Sequence, residues 1–375
     1  MFIPLTTKPQ AALRPDASKI SQNDWDVLAD FWYPVAVSAQ LRDKPTAVQL
    51  LDVDLVLFRG REGTPGVAVD LCPHRHIRLS TGRVMDGEIV CPFHGMRFDP
   101  AGRCRLPALG RSERLPASYS VRTFPARERY GLIWTCLGNP REHDIPHIPA
   151  LGAVPADELD FLGPQSWPVS APRQVENFFD LGHLPLVHVD TIGGDAASAM
   201  RPGTVENSDD AVMLRVEYVE KLPGGDPRPC EFTYRMILPF TIDFRILDHT
   251  TGALLYALNI PSPASAYQSR VFQVFRATDA ALSPDRQSQQ NFMNAFAAIN
   301  EEDIEVLSGL RTPDLPLDQH HEVHLPVDNI CGAYRARLRE LGLGRVPHAT
   351  VGSSKRSRAP RNRKSEPQET RPHPG

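Results

Sequence analysis

The sequence predicts an α+β fold, in which a small all-β domain is followed by an antiparallel sheet closed by one long helix. Three observations carry this. Between residues 30 and 140, short β-branched and aromatic runs recur at close spacing between Asp, Gly and Pro turn signals. Five more such runs follow between 211 and 276. From about Pro284 to Leu310, Phe292, Phe296, Ile304 and Leu307 then keep a roughly helical spacing. Strands gathered before a long helix, instead of alternating with helices, define the α+β class.

The first 20 residues lack a periodic apolar pattern and read as a loose arm, taken to extend over 1–28. Phe31-Trp-Tyr-Pro-Val-Ala-Val opens the first strand-like run, because aromatic and β-branched side chains suit a pleated, half-buried surface. Runs at Val48, Leu55, Gly66, Glu88, Met96 and Gly131 continue it, giving an all-β domain over 29–142. Asp144-Ile-Pro-His-Ile-Pro-Ala is a proline-containing bridge into a second domain, 143–348. There Ala171–Val189 reads as helical, strands are expected at 211–220, 230–239, 241–247, 253–260 and 268–276, and a final helix at Val327–Leu341. Residues 349–375 form a basic tail with no apolar period and read as disordered.

At 375 residues and 41% hydrophobic content, the chain can bury two cores. Its net charge is −4, and residues 352–375 hold seven Lys or Arg against two Glu, so the body is more acidic still and offers nucleic acid no broad basic face. The six Cys show no disulfide framework. The N-terminus has no signal-peptide pattern, and no apolar stretch approaches the ~20 residues that span a bilayer. The expected compartment is the cytoplasm, without a membrane.

Two segments carry most of the chemistry. Cys72-Pro-His74 and Cys91-Pro-Phe-His94 each pair one thiolate with one imidazole. A Rieske [2Fe–2S] cluster needs two Cys on one iron and two His on the other. Zinc is the alternative, although its motifs more often use Cys-x-x-Cys with a separate His pair. Pro73 and Pro92 stiffen the loops, and Gly95 permits the dihedrals of a chain folded tightly round a cluster. In Glu176-Asn-Phe-Phe-Asp-Leu-Gly-His-Leu-Pro-Leu-Val-His188, the residues Asn177, Asp180 and His183 recur at intervals of three, which places them on one helical face. His188 follows His183 by five, with Gly182 and Pro185 bending the chain between them. Two His and one carboxylate on one side of a metal make the facial triad of non-haem Fe(II) oxygenases. The third ligand must come from elsewhere, and Glu301-Glu-Asp-Ile-Glu305 on the long helix offers four carboxylates.

The runs Cys72-Pro-His-Arg-His-Ile-Arg-Leu-Ser-Thr-Gly and Cys91-Pro-Phe-His-Gly-Met-Arg-Phe-Asp resemble the Rieske domains of aromatic-ring and demethylating oxygenases. His76 and Met96 depart from the family pattern at positions that are not ligands. The second segment resembles the Asn-x-x-Asp-x-x-His-x-x-x-x-His element of the oxygenase component, the alpha component, of Rieske non-haem iron oxygenases. Over about 25–345, the dicamba and vanillate O-demethylase and methylxanthine N-demethylase branch is the nearest resemblance. It implies a helix-grip catalytic domain, a mononuclear Fe(II) on His183, His188 and Asp303, and a homotrimer. It also implies that Asp180 links this site to a Rieske His of the neighbouring subunit.

The activity that the resemblance implies is oxygen insertion at a carbon of a small aromatic or heterocyclic substrate. On a methoxy or N-methyl group the product loses formaldehyde. A Rieske electron-transfer protein, a ring dihydroxylating dioxygenase and a zinc-stabilised interaction protein are the competing readings. No Gly-x-Gly-x-x-Gly fingerprint occurs, so electrons are expected from a separate reductase or ferredoxin, with NAD(P)H acting only through it. Arg235, Arg245, Arg270 and Arg276 lie on expected strands; one turned inward could hold a substrate carboxylate, and one turned outward is simply solvated.

Overall fold

Ser21 starts the first helix: its hydroxyl accepts the Asp24 backbone N–H and caps α1, Gln22–Ala29. The computed structural model describes residues 13–105, 115–194, 196–220, 226–277, 286–345 and 375. The expected arm over 1–28 differs at its end, because Trp25 and Leu28 of α1 are buried and the Trp25 indole N–H donates to the Leu51 carbonyl at 2.9 Å. Apolar residues three apart on one turn give this short helix a face to bury. The basic tail expected at 349–375 lies outside the described residues, apart from its last residue.

The following region contains β1 (Tyr33–Val37), β2 (Thr46–Leu50), β3 (Val53–Arg59) and β4 (Pro65–Val69). After these come β5 (Arg83–Met85), β6 (Glu88–Val90), β7 (Arg97–Phe98) and β8 (Cys104–Arg105). β9 (Thr123–Phe124), β10 (Ala126–Arg129) and β11 (Leu132–Thr135) complete it. They pair antiparallel in three small sheets, ordered β1-β11-β10, β2-β3-β4-β9 and β5-β6-β7-β8. A separate apolar cluster of Val56, Phe58, Leu79, Ile89, Met96 and Phe98 surrounds Cys72 and Cys91. It fixes the two loops that carry these residues, one between β4 and β5 and the other at the β6–β7 turn.

The second half opens with β12 (Asp160–Trp167), α2 (Ala171–Phe179) and two short helices, α3 (Leu184–Val187) and α4 (Ala196–Ala199). Then come β13 (Thr204–Asn207), β14 (Ala211–Glu220), β15 (Arg228–Ile237), β16 (Thr241–Asp248), β17 (Leu254–Ser265) and β18 (Gln268–Ala277). They form one seven-stranded antiparallel sheet ordered β12-β18-β17-β16-β15-β14-β13. The five expected strands are β14 to β18, with ends displaced by at most five residues; the edge strands β12 and β13 carry too little apolar alternation to be anticipated. The expected long and final helices are α5 (Arg286–Ser308) and α6 (Asn329–Glu340).

Alternation along the strands divides the sheet's two faces. Phe232, Tyr234, Phe244, Ala257 and Phe275 point to the face covered by α2 and α5. Leu258, Ile260, Phe272 and Val274 point the other way and pack with Trp32, Trp134 and Ile148 of the N-terminal half. Each such buried side chain contributes roughly 1.5–3 kcal/mol, so the sheet is held from both sides. The cluster that holds Phe232 and Tyr234 also joins Tyr33, Leu50 and Leu55 to Phe179, Phe240 and Tyr334. The two halves therefore share a core across the 142–143 junction.

Candidate metal centres and substrate cavity

The two Cys-Pro loops are near-copies. In one, Cys72 N–H donates to the Ile77 carbonyl at 2.9 Å and His76 N–H donates to the Cys72 carbonyl at 2.9 Å. In the other, Cys91 N–H donates to Met96 at 2.8 Å and Gly95 N–H to Cys91 at 3.1 Å. The closing residue is left-handed in both, with φ 58° at His76 and 68° at Gly95. His76 thus occupies a position that glycine fills more easily. Both Cys are buried, while His74 and His94 are exposed with their Nδ1 atoms 3.1 Å apart. Burial, and then the adjacent Cys91, push the Cys72 thiol up. Two inward thiols and two convergent imidazole nitrogens suit the Cys2His2 demand of a Rieske cluster.

The second constellation departs from the helical reading of 171–189. α2 ends at Phe179, and Asp180 is extended at φ −75° and ψ 116°. Asp180 and His183 therefore do not continue one helical face; a bend from 180 to 183 brings them together. His183 Nδ1 lies 3.2 Å from Asp180 Oδ2, whose other oxygen accepts the Gly182 N–H at 2.8 Å. The other face of His183 meets His188, Nε2 to Nε2, at 3.2 Å. Asp303 Oδ1 on α5 is 3.4 Å from His183 Nε2 and 3.2 Å from His188 Nε2. Three donor atoms so spaced can converge on one ion at about 2.1 Å, the usual distance for such ligands.

The helix period makes the choice among the four acids of α5. Asn300, Asp303 and Leu307 share the buried face, while Glu301 and Glu305 are exposed. Glu302 has a different place: its Oε2 lies 2.7 Å from His188 Nδ1 and accepts the Thr191 hydroxyl at 2.7 Å. Sequence reasoning counted Glu302 only as a rival ligand and missed its position behind His188. Burial pulls the His183 pKa down, but Asp180 and Asp303 outweigh it and raise it to about 9. Burial raises Asp303, yet the two imidazoles bring it down to about 2.

This cluster borders a cavity of about 400 Å³, within the ~300–1,000 Å³ range of small-molecule sites. Phe178, Phe232, Tyr234, Phe244, Phe292 and Phe296 supply its aromatic walls. Asn177 also lines it, and its buried Nδ2 finds no partner among the described residues. Gln273 and Asn300 of the lining continue behind it to Asn259 and Gln174 as a hydrogen-bonded amide chain. The inward arginine that the sequence allowed is absent from the lining: Arg235 bonds Asp210, Arg245 pairs with Asp243, and Arg276 donates to the Ala150 carbonyl. Arg270 and Arg276 share the strand parity of Phe272 and Val274, which face away. Instead Glu220, Arg228 and Asp248 meet at the cavity's edge. Glu220 and Arg228 are register partners across β14 and β15, a signal the sequence offered only once the hairpin was placed.

On its outer side, Asp180 opens onto a cleft of about 250 Å³ that it shares with Glu322, His324, Leu310 and Val323.

Comparison with known proteins finds matches in both halves of the chain. Residues 31–125 match the Rieske [2Fe-2S] domain family, and residues 167–343 match the vanillate O-demethylase oxygenase C-terminal domain family. Methylxanthine N1-demethylase NdmA of Pseudomonas putida is 28% identical over 86% of this chain and 91% of its own length. The dicamba O-demethylase oxygenase component of Stenotrophomonas maltophilia is 33% identical over 52% of this chain and 56% of its own. The solved structure of NdmA from Pseudomonas putida CBB5 superposes with a TM-score of 0.67 at 27% identity, covering 84% of this chain and 90% of that one. Dicamba monooxygenase shares the fold with a TM-score of 0.71 at 23% identity, covering 84% and 97%. A Rieske domain joined to this catalytic domain, with relatives alike over both, makes the chain a member of the Rieske non-haem iron oxygenases.

Proposed function

We propose that this protein is the terminal oxygenase of a multicomponent system that demethylates or hydroxylates a small aromatic or heterocyclic molecule. The observation that carries the reading is the convergence of His183, His188 and Asp303, at 3.2–3.4 Å, in the wall of an aromatic cavity. Cys72, His74, Cys91 and His94 would hold the cluster, and His183, His188 and Asp303 would hold Fe(II). When bound, the cluster supplies single electrons and the mononuclear iron supplies open positions for O2.

The chain's own residues set the conditions for that chemistry. Asp180 and Glu302 lie against the Nδ1 atoms of His183 and His188, so each would take the Nδ1–H and hold its imidazole in the tautomer whose Nε2 can bind a metal. Asn177, with a buried and unpartnered amide Nδ2, stands between the cavity and the outer cleft at Asp180, and the Phe and Tyr walls would shield the reacting carbon from water. A pure electron-transfer role would leave this cavity and its donor triangle without a use.

The reading extends to an assembly and to a domain division at about 142–143. Exposed His74 and His94, beside an exposed Phe93, and the cleft at Asp180 with its exposed Val323 suit a homotrimer in which Asp180 meets a neighbouring Rieske His. A separate reductase or ferredoxin, drawing on NAD(P)H, delivers electrons to the cluster. No helix among the described residues is long and apolar enough to cross a membrane, and the cytoplasm is the proposed compartment.

The test is O2 uptake and formaldehyde release by the iron-loaded protein with an electron donor, across methoxyarenes, aromatic acids and N-methyl heterocycles. Substrate-dependent uptake that vanishes in His188→Ala is expected. Uptake unaffected by that change would overturn the reading.

A further inference from the structure

The charges around the cavity say which substrates it admits. Beyond the donor triangle, its charged lining among the described residues is Glu220, Arg228 and Asp248. Arg228 Nε donates to Glu220 Oε2 at 3.1 Å, its Nη2 bonds the same oxygen, and Nε approaches Asp248 Oδ2 at 3.6 Å. Glu220 and Asp248 are 7% and 5% exposed, and Asp248 Oδ1 already accepts the Thr250 and Thr251 N–H groups, so this end carries two buried carboxylates against one half-exposed guanidinium whose Nε and Nη2 are engaged. A substrate carboxylate arriving there would meet two acids against one guanidinium, a net negative end. An N–H or ammonium group would meet acceptors.

Position adds a length requirement. On β16, Asp248 lies four residues beyond Phe244, which stacks with Tyr234 in the aromatic wall at 4.4 Å between ring centroids. Four strand residues rise about 13 Å. A molecule lying along the Phe and Tyr walls must therefore be longer than one ring to reach the acidic end.

We propose that the cavity selects an elongated planar aromatic molecule, at least two fused rings long, whose end remote from the reacting carbon carries an N–H or ammonium donor and no carboxylate. Glu220 and Asp248 accept from that donor, with Arg228 holding Glu220 in place. The proposal rests on the oxygenase reading for the location of the reacting carbon, but its test reads binding alone.

Three isosteric probes decide it: 6-methoxy-2-naphthoate, 6-methoxy-2-naphthamide and (6-methoxy-2-naphthyl)methylammonium, titrated into the iron-loaded protein under anaerobic conditions. The amide and the ammonium should bind at least tenfold more tightly than the carboxylate, the ammonium leading if the donor is charged and the amide if it is neutral. Glu220→Gln should narrow that preference to threefold or less, and Asp248→Asn should narrow it in part, with the Rieske spectrum unchanged. Naphthoate binding as tightly as the other two, or failure of all three to bind, would overturn the proposal. So would an undiminished preference in a Glu220→Gln protein that keeps its spectrum. If the binding order holds but no probe releases formaldehyde, the oxygenase reading fails and the charge selection stands.

Discussion

Replacing Glu302 tests how the α5 helix controls a metal site it only partly ligates. Glu302 Oε2 is 2.7 Å from His188 Nδ1, and His188 is only 1% exposed, so its ring cannot find water as a substitute partner. Thr191 bonds the same oxygen and holds the carboxylate in place. Loss of a carboxylate behind a metal-bound His typically costs 10–100-fold in metal affinity, equivalent to about 1.4–2.7 kcal/mol. The Glu302 side chain is 29% exposed, so solvent screening places Glu302→Ala toward the lower half of that range. Glu302→Gln keeps an acceptor oxygen without the charge and should lose about threefold, since hydrogen bonds to charged groups are roughly twice as strong as neutral ones. Anaerobic competition between the protein and a chelator for Fe(II) gives the affinity, and the Rieske EPR signal serves as the folding control. A Glu302→Ala protein that binds Fe(II) within twofold of the native chain would refute the reasoning.

Asp180→Asn should keep both metals and cluster reduction while slowing single-turnover reoxidation of the Rieske centre by at least tenfold; native reoxidation in an iron-replete variant would exclude the bridging role. Cys72→Ser should abolish the Rieske EPR signal, whereas Asp303→Ala should preserve it and lose Fe(II) and turnover. Normal iron content in Asp303→Ala would move the third ligand elsewhere. Gly95→Ala places a Cβ in open space at φ 68°, so its cost is conformational, about 1–2 kcal/mol. Thermal unfolding should fall accordingly with the cluster retained, and an unchanged midpoint would contradict the left-handed assignment.

Both clusters of potential donors were legible because they come in short local words. Cys72-Pro-His74 and Cys91-Pro-Phe-His94 are closed by hydrogen bonds four and five residues apart, so spacing alone carried the geometry. His183 and His188 were legible for the same reason, although the chain leaves the helix at Asp180, before both, and a short helical turn, Leu184–Val187, joins them. The arginines misled because strand membership says nothing of facing until register is known. Arg235 and Arg245 sit beside Tyr234 and Phe244 in sequence, yet pleating sends neighbours to opposite sides.

The sequence by itself determined the α+β order of elements, the two Cys-Pro loops with their paired Cys and His, and the pairing of His183 with His188. These depend on contacts within a dozen residues, where chain connectivity already limits the options. Only the tertiary structure decided that Asp303 faces His183 and His188 while Glu302 stands behind His188, because neighbouring residues of a helix point about 100° apart and the docking of α5 chooses the face. It alone also brought Glu220, Arg228 and Asp248 from three strands to one end of the cavity. Cross-strand pairing sets that meeting, and no spacing along the chain encodes it.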